Sequence, residues 1–246
     1  MVVSAIEGHR IWSRQYDESP NPILALEMRV LAPRLGILSG RSICDAGSGT
    51  GRWMQWASSQ GARVFGFDAC REMIVESCHK PGLRGRSVQA DVCRIPIKNN
   101  SVDIAICSFM LGYVPSPLEV LGELARIASC VIVSDLHPQA INRGWTRSFR
   151  AAGERYEMAH HSHSIPRMDA AAKTAGLIPA WRSEPSFGEP EREVFRRAGR
   201  EGAFEEASRL PAILICRNGP GWRQATPDLR VQCAKSVRHK TRGLPA

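Results

Sequence analysis

Ile43-Cys44-Asp45-Ala46-Gly47-Ser48-Gly49-Thr50-Gly51 is a short apolar run that meets an acid and then three glycines spaced two apart. A helix-compatible stretch, Arg52 to Ser59, follows at once. Glycines at such a strand-to-helix turn let the backbone approach a ligand closely, and the helix N-terminus offers unpaired N–H groups. A dinucleotide fingerprint would place a glycine three residues after Gly49, where this chain has Arg52. The spacing here is G-x-G-x-G, with Asp45 two residues ahead of the first glycine. A carboxylate there repels a pyrophosphate but suits the ammonium of an amino-acid moiety.

Outward from this turn, strand-like and helix-like segments alternate, which predicts a parallel sheet covered on both faces. A helix is expected over 23–35, opened by Asn21-Pro22, with strands over 42–45, 63–67, 86–89, 102–107 and 131–133. Helices are expected over 72–78 and 117–128 between them. After Pro138 the regularity weakens. A helix over 167–175, a helical piece within 191–209, and strands over 177–182 and 212–217 complete the pattern. The expectation is one doubly wound, Rossmann-like, seven-stranded and mostly parallel sheet over residues 1–217. Residues 1–38 would form a helical cover, 139–165 and 183–210 substrate-side insertions, and 218–246 a basic, mobile tail.

The next two strands also end in carboxylates. Asp68 closes Val64-Phe65-Gly66-Phe67, where an acid can accept both hydroxyls of a ribose. Asp91 follows Val88-Gln89-Ala90, placed to accept from an adenine amino group, with the N–H of Val92 facing a ring nitrogen. Met73, one turn into the following helix, reads either as lying against the adenine or as a core methionine.

These residues resemble the class I S-adenosylmethionine-dependent methyltransferases, in the small-molecule branch typified by ubiquinone and menaquinone biosynthesis. The glycine turn resembles that family's first motif, and Val64 to Ile74 its second. The stretch 91–103 and the helix carrying Glu123, Leu124 and Arg126 resemble its central part. Trp12-Ser13-Arg14-Gln15-Tyr16-Asp17 is similar to the segment that closes over the cofactor. The resemblance implies S-adenosylmethionine as cofactor, held by Tyr16, Asp45, Gly47, Ser48, Gly49 and Gly51 on one side. Asp68, Ala69, Met73, Asp91, Val92 and Cys107 would complete the site. It implies in-line transfer of a methyl group to a small-molecule acceptor, in which positioning supplies much of the rate. Where many relatives carry a histidine after the fourth strand, this chain has Gly112-Tyr113, so no base is carried over from the resemblance there. His137, just after the fifth strand and expected to face the pocket, is the best candidate base, with Asp135 orienting it or capping the strand, against a plain role as a turn residue before Pro138. Arg52 is expected to cap its helix or face solvent, with a reach toward the cofactor carboxylate. His160-His161-Ser162-His163 reads as part of a substrate-facing cover; its spacing does not fit a metal site, and none is expected.

Other classes fit less well. The net charge of +9 is concentrated, because the short tail 222–246 supplies +5 of it. That is a weak nucleic-acid footprint, and Cys107-Ser108-Phe109-Met110 stands where a base methyltransferase would carry an Asn/Asp-Pro-Pro-aromatic motif. An RNA methyltransferase and a non-catalytic cofactor-binding module remain the alternatives. No run of 18 apolar residues predicts a membrane span, and the first ten residues do not read as a signal peptide. Eight cysteines without Cys-x-x-Cys spacing read as reduced, small hydrophobes in a cytoplasmic protein.

Overall fold

The computed structural model of the chain describes residues 1–220. In chain order its elements are β1 (Val2–Val3), α1 (Ala5–Trp12), α2 (Pro22–Leu31), β2 (Ser42–Ala46), α3 (Arg52–Ser59), β3 (Arg63–Asp68), α4 (Arg71–His79), β4 (Ser87–Gln89) and β5 (Val102–Ser108). They continue with α5 (Pro117–Ile127), β6 (Ala128–Leu136), α6 (Pro138–Asn142), β7 (Arg147–Ala151), β8 (Glu154–Met158), α7 (Ile165–Thr174), β9 (Leu177–Ser183), α8 (Glu189–Arg197), α9 (Phe204–Ala207) and β10 (Ile213–Pro220).

A seven-stranded sheet runs in the order β4-β3-β2-β5-β6-β10-β9, parallel except for β10, which pairs antiparallel with both its neighbours. The expected doubly wound architecture is therefore present. One face packs on α2, α3, α8 and α9 through Leu26, Trp53, Phe195 and Phe204. The other packs on α5 and α7 through Leu121, Leu124 and Met168. Strand order reverses between β2 and β5, so a crevice opens at their carboxyl ends.

Several boundaries move for physical reasons. The fifth parallel strand, expected over 131–133, runs from Ala128 to Leu136 because α5 passes straight into it. Ala128 is already extended (φ −126°, ψ 148°) and pairs with Val102. The stretch 139–165 holds a β-hairpin. β7 and β8 are joined by Ala152-Gly153, both at positive φ, as a tight two-residue turn demands. Val2–Val3 adds to β8 as a third, parallel strand, and α1 packs against this small sheet. The basic tail lies, from residue 221 onward, outside the described residues.

α2 opens on Asn21, whose side-chain oxygen accepts from the N–H groups of Ile23 and Leu24 at 3.1 and 3.5 Å, with Pro22 in the first turn. It buries a charge as well as leucines. Glu27 is 0% exposed, and its carboxylate accepts from Arg52, from Trp53 Nε1 (3.1 Å), from Ser108 Oγ (2.9 Å) and from Ser134 Oγ. One side chain thus ties α2 to α3, β5 and β6. Removing one partner of a buried ion pair strands the other charge. Glu27→Ala is expected to lower unfolding stability by about 3–5 kcal/mol in urea titration. A loss below about 1 kcal/mol, the range of a surface pair, would contradict this role.

Candidate functional site

A cleft of about 1410 Å³ opens over the carboxyl ends of β2, β3 and β5. Tyr16, Asp45, Gly47, Ser48, Gly49, Asp68, Ala69, Met73, Asp91 and Val92 all line it. The glycines earn their places individually. Gly47 has φ +75°, and a Cβ there would stand 2.7 Å from Met110 Cγ. Gly49 has φ +53° and open space where a Cβ would be, leaving the turn bare toward the cleft. Gly51 does not line the cleft. It caps α3 at φ +79°, and a Cβ would stand 2.8 Å from Leu83 Cδ1, so its smallness serves helix packing.

The strand-end acids differ in environment. Asp45 is 2% exposed, and burial, partly offset by Arg52, pushes its carboxyl up to about 7. Asp68 accepts from the Gly49 and Cys70 N–H groups at 2.7 and 2.8 Å, which locks the glycine turn to the start of α4; burial still raises its pKa. Asp91 is exposed and accepts from the Cys93 N–H at 2.9 Å. Arg52 neither caps its helix nor simply faces solvent. It is held by Glu27 and Ser108, and its other terminal nitrogen, Nη1, is buried without a partner in the cleft wall. Such an unmet donor fits an anionic ligand group, as the acids fit an ammonium, ribose hydroxyls and an adenine amine.

The N-terminal segment lies over this end. Tyr16 packs edge-on against Trp12, with centroids 4.6 Å apart. Asp17 is clamped by Thr50 Oγ1 (2.8 Å) and Lys80 Nζ (2.8 Å), which pins the segment to the glycine turn.

Besides Gly51, two expected site residues lie outside the lining, Cys107 and His137. Cys107 is fully buried in the core beneath α5, because strand alternation turns Ser108, not Cys107, toward Glu27. Burial drives its thiol pKa well above the ordinary value. His137 is 1% exposed and outside the cleft lining. Pro138 starts α6, so His137 becomes its cap: Nδ1 accepts from the Gln139 N–H at 3.2 Å and Nε2 meets Glu184 at 3.1 Å. It is not placed as a base. Asp135 accordingly does not orient it, but accepts from the Gly112 N–H at 2.6 Å and pairs with buried Arg147. The histidine cluster is likewise absent from the lining. His163 Nε2 lies 3.0–3.1 Å from the carbonyls of Val114 and Leu111 and fastens the loop before α7.

Other residues take the far half. Arg147 enters from β7, sits 4.6 Å over the Tyr113 ring, and occupies the space a Gly112 Cβ would fill. Beside them His9, from α1, is in edge contact with Tyr113 (5.2 Å) and is depressed by burial to about 4. It is the one histidine of the lining among the described residues. Aromatic side chains of Trp12, Phe149, Trp145 and Phe187 line this half. The Gly112-Tyr113 pair marked the place in the sequence; Arg147 and His9 carried no local signal.

Because the folded Asp45 holds its proton up to about pH 7 against an ordinary value of 3.8, that stabilising contribution is complete below about pH 4 and lost as pH rises through 7. Asn resembles the protonated acid, so Asp45→Asn should raise Tm relative to the parent more at pH 8 than at pH 5. Thermal unfolding at the two pH values measures this, and an equal difference at both would contradict the assignment.

Residues 44–129 match the family model described as "Methyltransferase domain". A ubiquinone/menaquinone biosynthesis C-methyltransferase of Bdellovibrio bacteriovorus is 32% identical over 97 residues, 37% of this chain and 41% of that protein. A ubiquinone biosynthesis O-methyltransferase of Hahella chejuensis is 29% identical over 143 residues, 55% of this chain and 58% of that protein. The matched stretches thus span about half the length of these relatives. An S-adenosylmethionine-dependent methyltransferase from Mesorhizobium loti superposes with a TM-score of 0.62 at 20% identity, over 81% of this chain and 100% of that one. The chain is thus similar to methyltransferase domains over residues 44–129, and it shares the fold of an S-adenosylmethionine-dependent methyltransferase of known structure.

Proposed function

We propose that the chain binds S-adenosylmethionine at the Asp45–Asp68–Asp91 end of the cleft and methylates a small molecule held in the far half. The observation that carries this is the joining of complementary groups at one end: three strand-end acids, a bare glycine turn and the unmet Nη1 of Arg52. The S-adenosylmethionine-dependent methyltransferase from Mesorhizobium loti that shares this fold supports the same cofactor. When bound, it supplies an electrophilic methyl group and a neutral thioether leaving group.

The chain's own residues then have distinct tasks. Asp45 pairs with the ammonium, which draws its carboxyl toward the ionised form. Arg52 meets the carboxylate, Asp68 the ribose hydroxyls and Asp91 the adenine amine. The clamped segment carrying Tyr16 covers this end, excluding water from the transferring group. The aromatic far half confines the acceptor. His9 is neutral above about pH 4 and is correspondingly a weak base. Catalysis here rests on alignment, which is worth on the order of 7–11 kcal/mol when reacting atoms are well placed.

Isothermal titration with S-adenosylhomocysteine tests the donor end. One site is expected, with affinity rising as pH passes about 7 and Asp45 ionises. Asp68→Ala should weaken it by about tenfold or more, as loss of charged hydrogen bonds does. Labelled methyl transfer to a small-molecule extract, read by mass spectrometry, tests turnover. Absence of binding by the parent, or full binding by Asp68→Ala, would overturn the reading.

A further inference from the structure

The two halves of the cleft carry opposite charge. The proposed cofactor end has Asp45, Asp68 and Asp91. The far half is lined by Arg143, Arg150, Arg155, Arg197 and Arg200, against Glu206 as its acid. These arginines come from α6's end, both strands of the β7–β8 hairpin, and α8 with the turn beyond it. All lie outside the matched stretch 44–129. None is ion-paired among the described residues, whereas Arg192 and Arg196 of the same α8 are paired with Glu189, Glu205 and Glu193.

The hairpin adds an independent sign. Arg150 and Arg155 stand directly opposite each other in register, a like-charge pair that costs stability in an antiparallel ladder. Glu157 shares that strand face, opposite Ser148, and among the described residues is not ion-paired with either. An anion between two such guanidiniums would remove the repulsion and satisfy their fork-shaped donors. Aromatic side chains line the same cleft, with Phe149 on the hairpin face opposite to Arg150 and Arg155. Trp145 stacks on Phe187 (5.9 Å, 17°) and Trp12 on Phe149 (4.9 Å, 7°).

We infer that the methyl acceptor is an organic anion: an aromatic or otherwise apolar body whose carboxylate or phosphate is held by the Arg150–Arg155 pair and by Arg197 and Arg200. This rests on the proposed methyl transfer in the same cleft, and it narrows the acceptor class. A neutral quinol-like body would leave the arginine rim without a partner.

Two fluorescent probes with one skeleton separate the terms: anilinonaphthalenesulfonate carries an anion, and N-phenylnaphthylamine lacks it. Both are titrated into the full chain at low salt, with and without saturating S-adenosylhomocysteine. The sulfonate is expected to bind about tenfold tighter or more than the neutral probe. R150Q/R155Q and, separately, R197Q/R200Q should each weaken the sulfonate by about tenfold while leaving the neutral probe and S-adenosylhomocysteine unchanged. R150K/R155K should recover part of the loss. Displacement by naphthoate or by naphthyl phosphate identifies which anion the rim prefers. Equal affinity for the two probes, or sulfonate binding untouched by both double variants, overturns the inference even where S-adenosylhomocysteine binds normally. So does displacement of the sulfonate by a single-stranded RNA but by neither small anion. Failure of S-adenosylhomocysteine to bind, with the anion preference intact, counts against the proposed methyl transfer instead.

Discussion

The carboxylate of Glu27 is the constraint on which the site's position depends. It sits on α2 without solvent contact, where the first turn of α3, β5 and β6 meet, and each of these three contributes a donor. Hydrophobic burial alone would let α2 slide along the sheet, because apolar contacts carry little direction. A buried carboxylate with four donor residues has far fewer acceptable placements, since each unmet donor costs free energy. It also fixes the guanidinium of Arg52, so that one terminal nitrogen is used internally and the other is left at the cleft wall. A structural ion pair thereby sets the geometry of a proposed ligand contact.

Above that anchor the molecule separates two electrostatic jobs. Acidic groups gather at the strand ends by the glycine turn, and basic groups gather on the segments after β6. Both arrangements cost stability in the free protein. Asp45 is a carboxyl with a raised pKa in the core, and Arg150 faces Arg155 across a hairpin. Binding sites commonly retain such unfavourable features, because the ligand supplies the missing partner. The N-terminal segment connects the halves: Asp17 is fastened at the acidic end, while His9 and Trp12 pack against Tyr113 and Phe149 on the other side.

What the sequence disclosed follows from how local its signals were. Strand-to-helix alternation and the Asp45–Gly51 turn act within a dozen residues, and the central parallel strands and the three acids at the cleft lie close to where those signals placed them. The failures involve distance. Glu27 stands in an apolar helix, where an acid reads as the solvent side; its donors are 25 to 107 residues away. The β7–β8 turn is Ala-Gly in place of the usual Asn-Gly or Asp-Gly, so its hairpin was not recognisable locally. The place of His137 just after a strand suggests a pocket-facing side chain, but β6 extends to Leu136 and Pro138 starts a helix that the histidine caps.

The most direct measurement of the central claim is a crystal structure of the chain with S-adenosylhomocysteine bound. The amino-acid moiety is expected between Asp45 and Arg52, the ribose on Asp68 and the adenine beside Asp91, with the sulfur facing Tyr113 and the arginine-lined half. A ligand bound elsewhere, or one lying in this cleft with its sulfur turned away from that half, would contradict it.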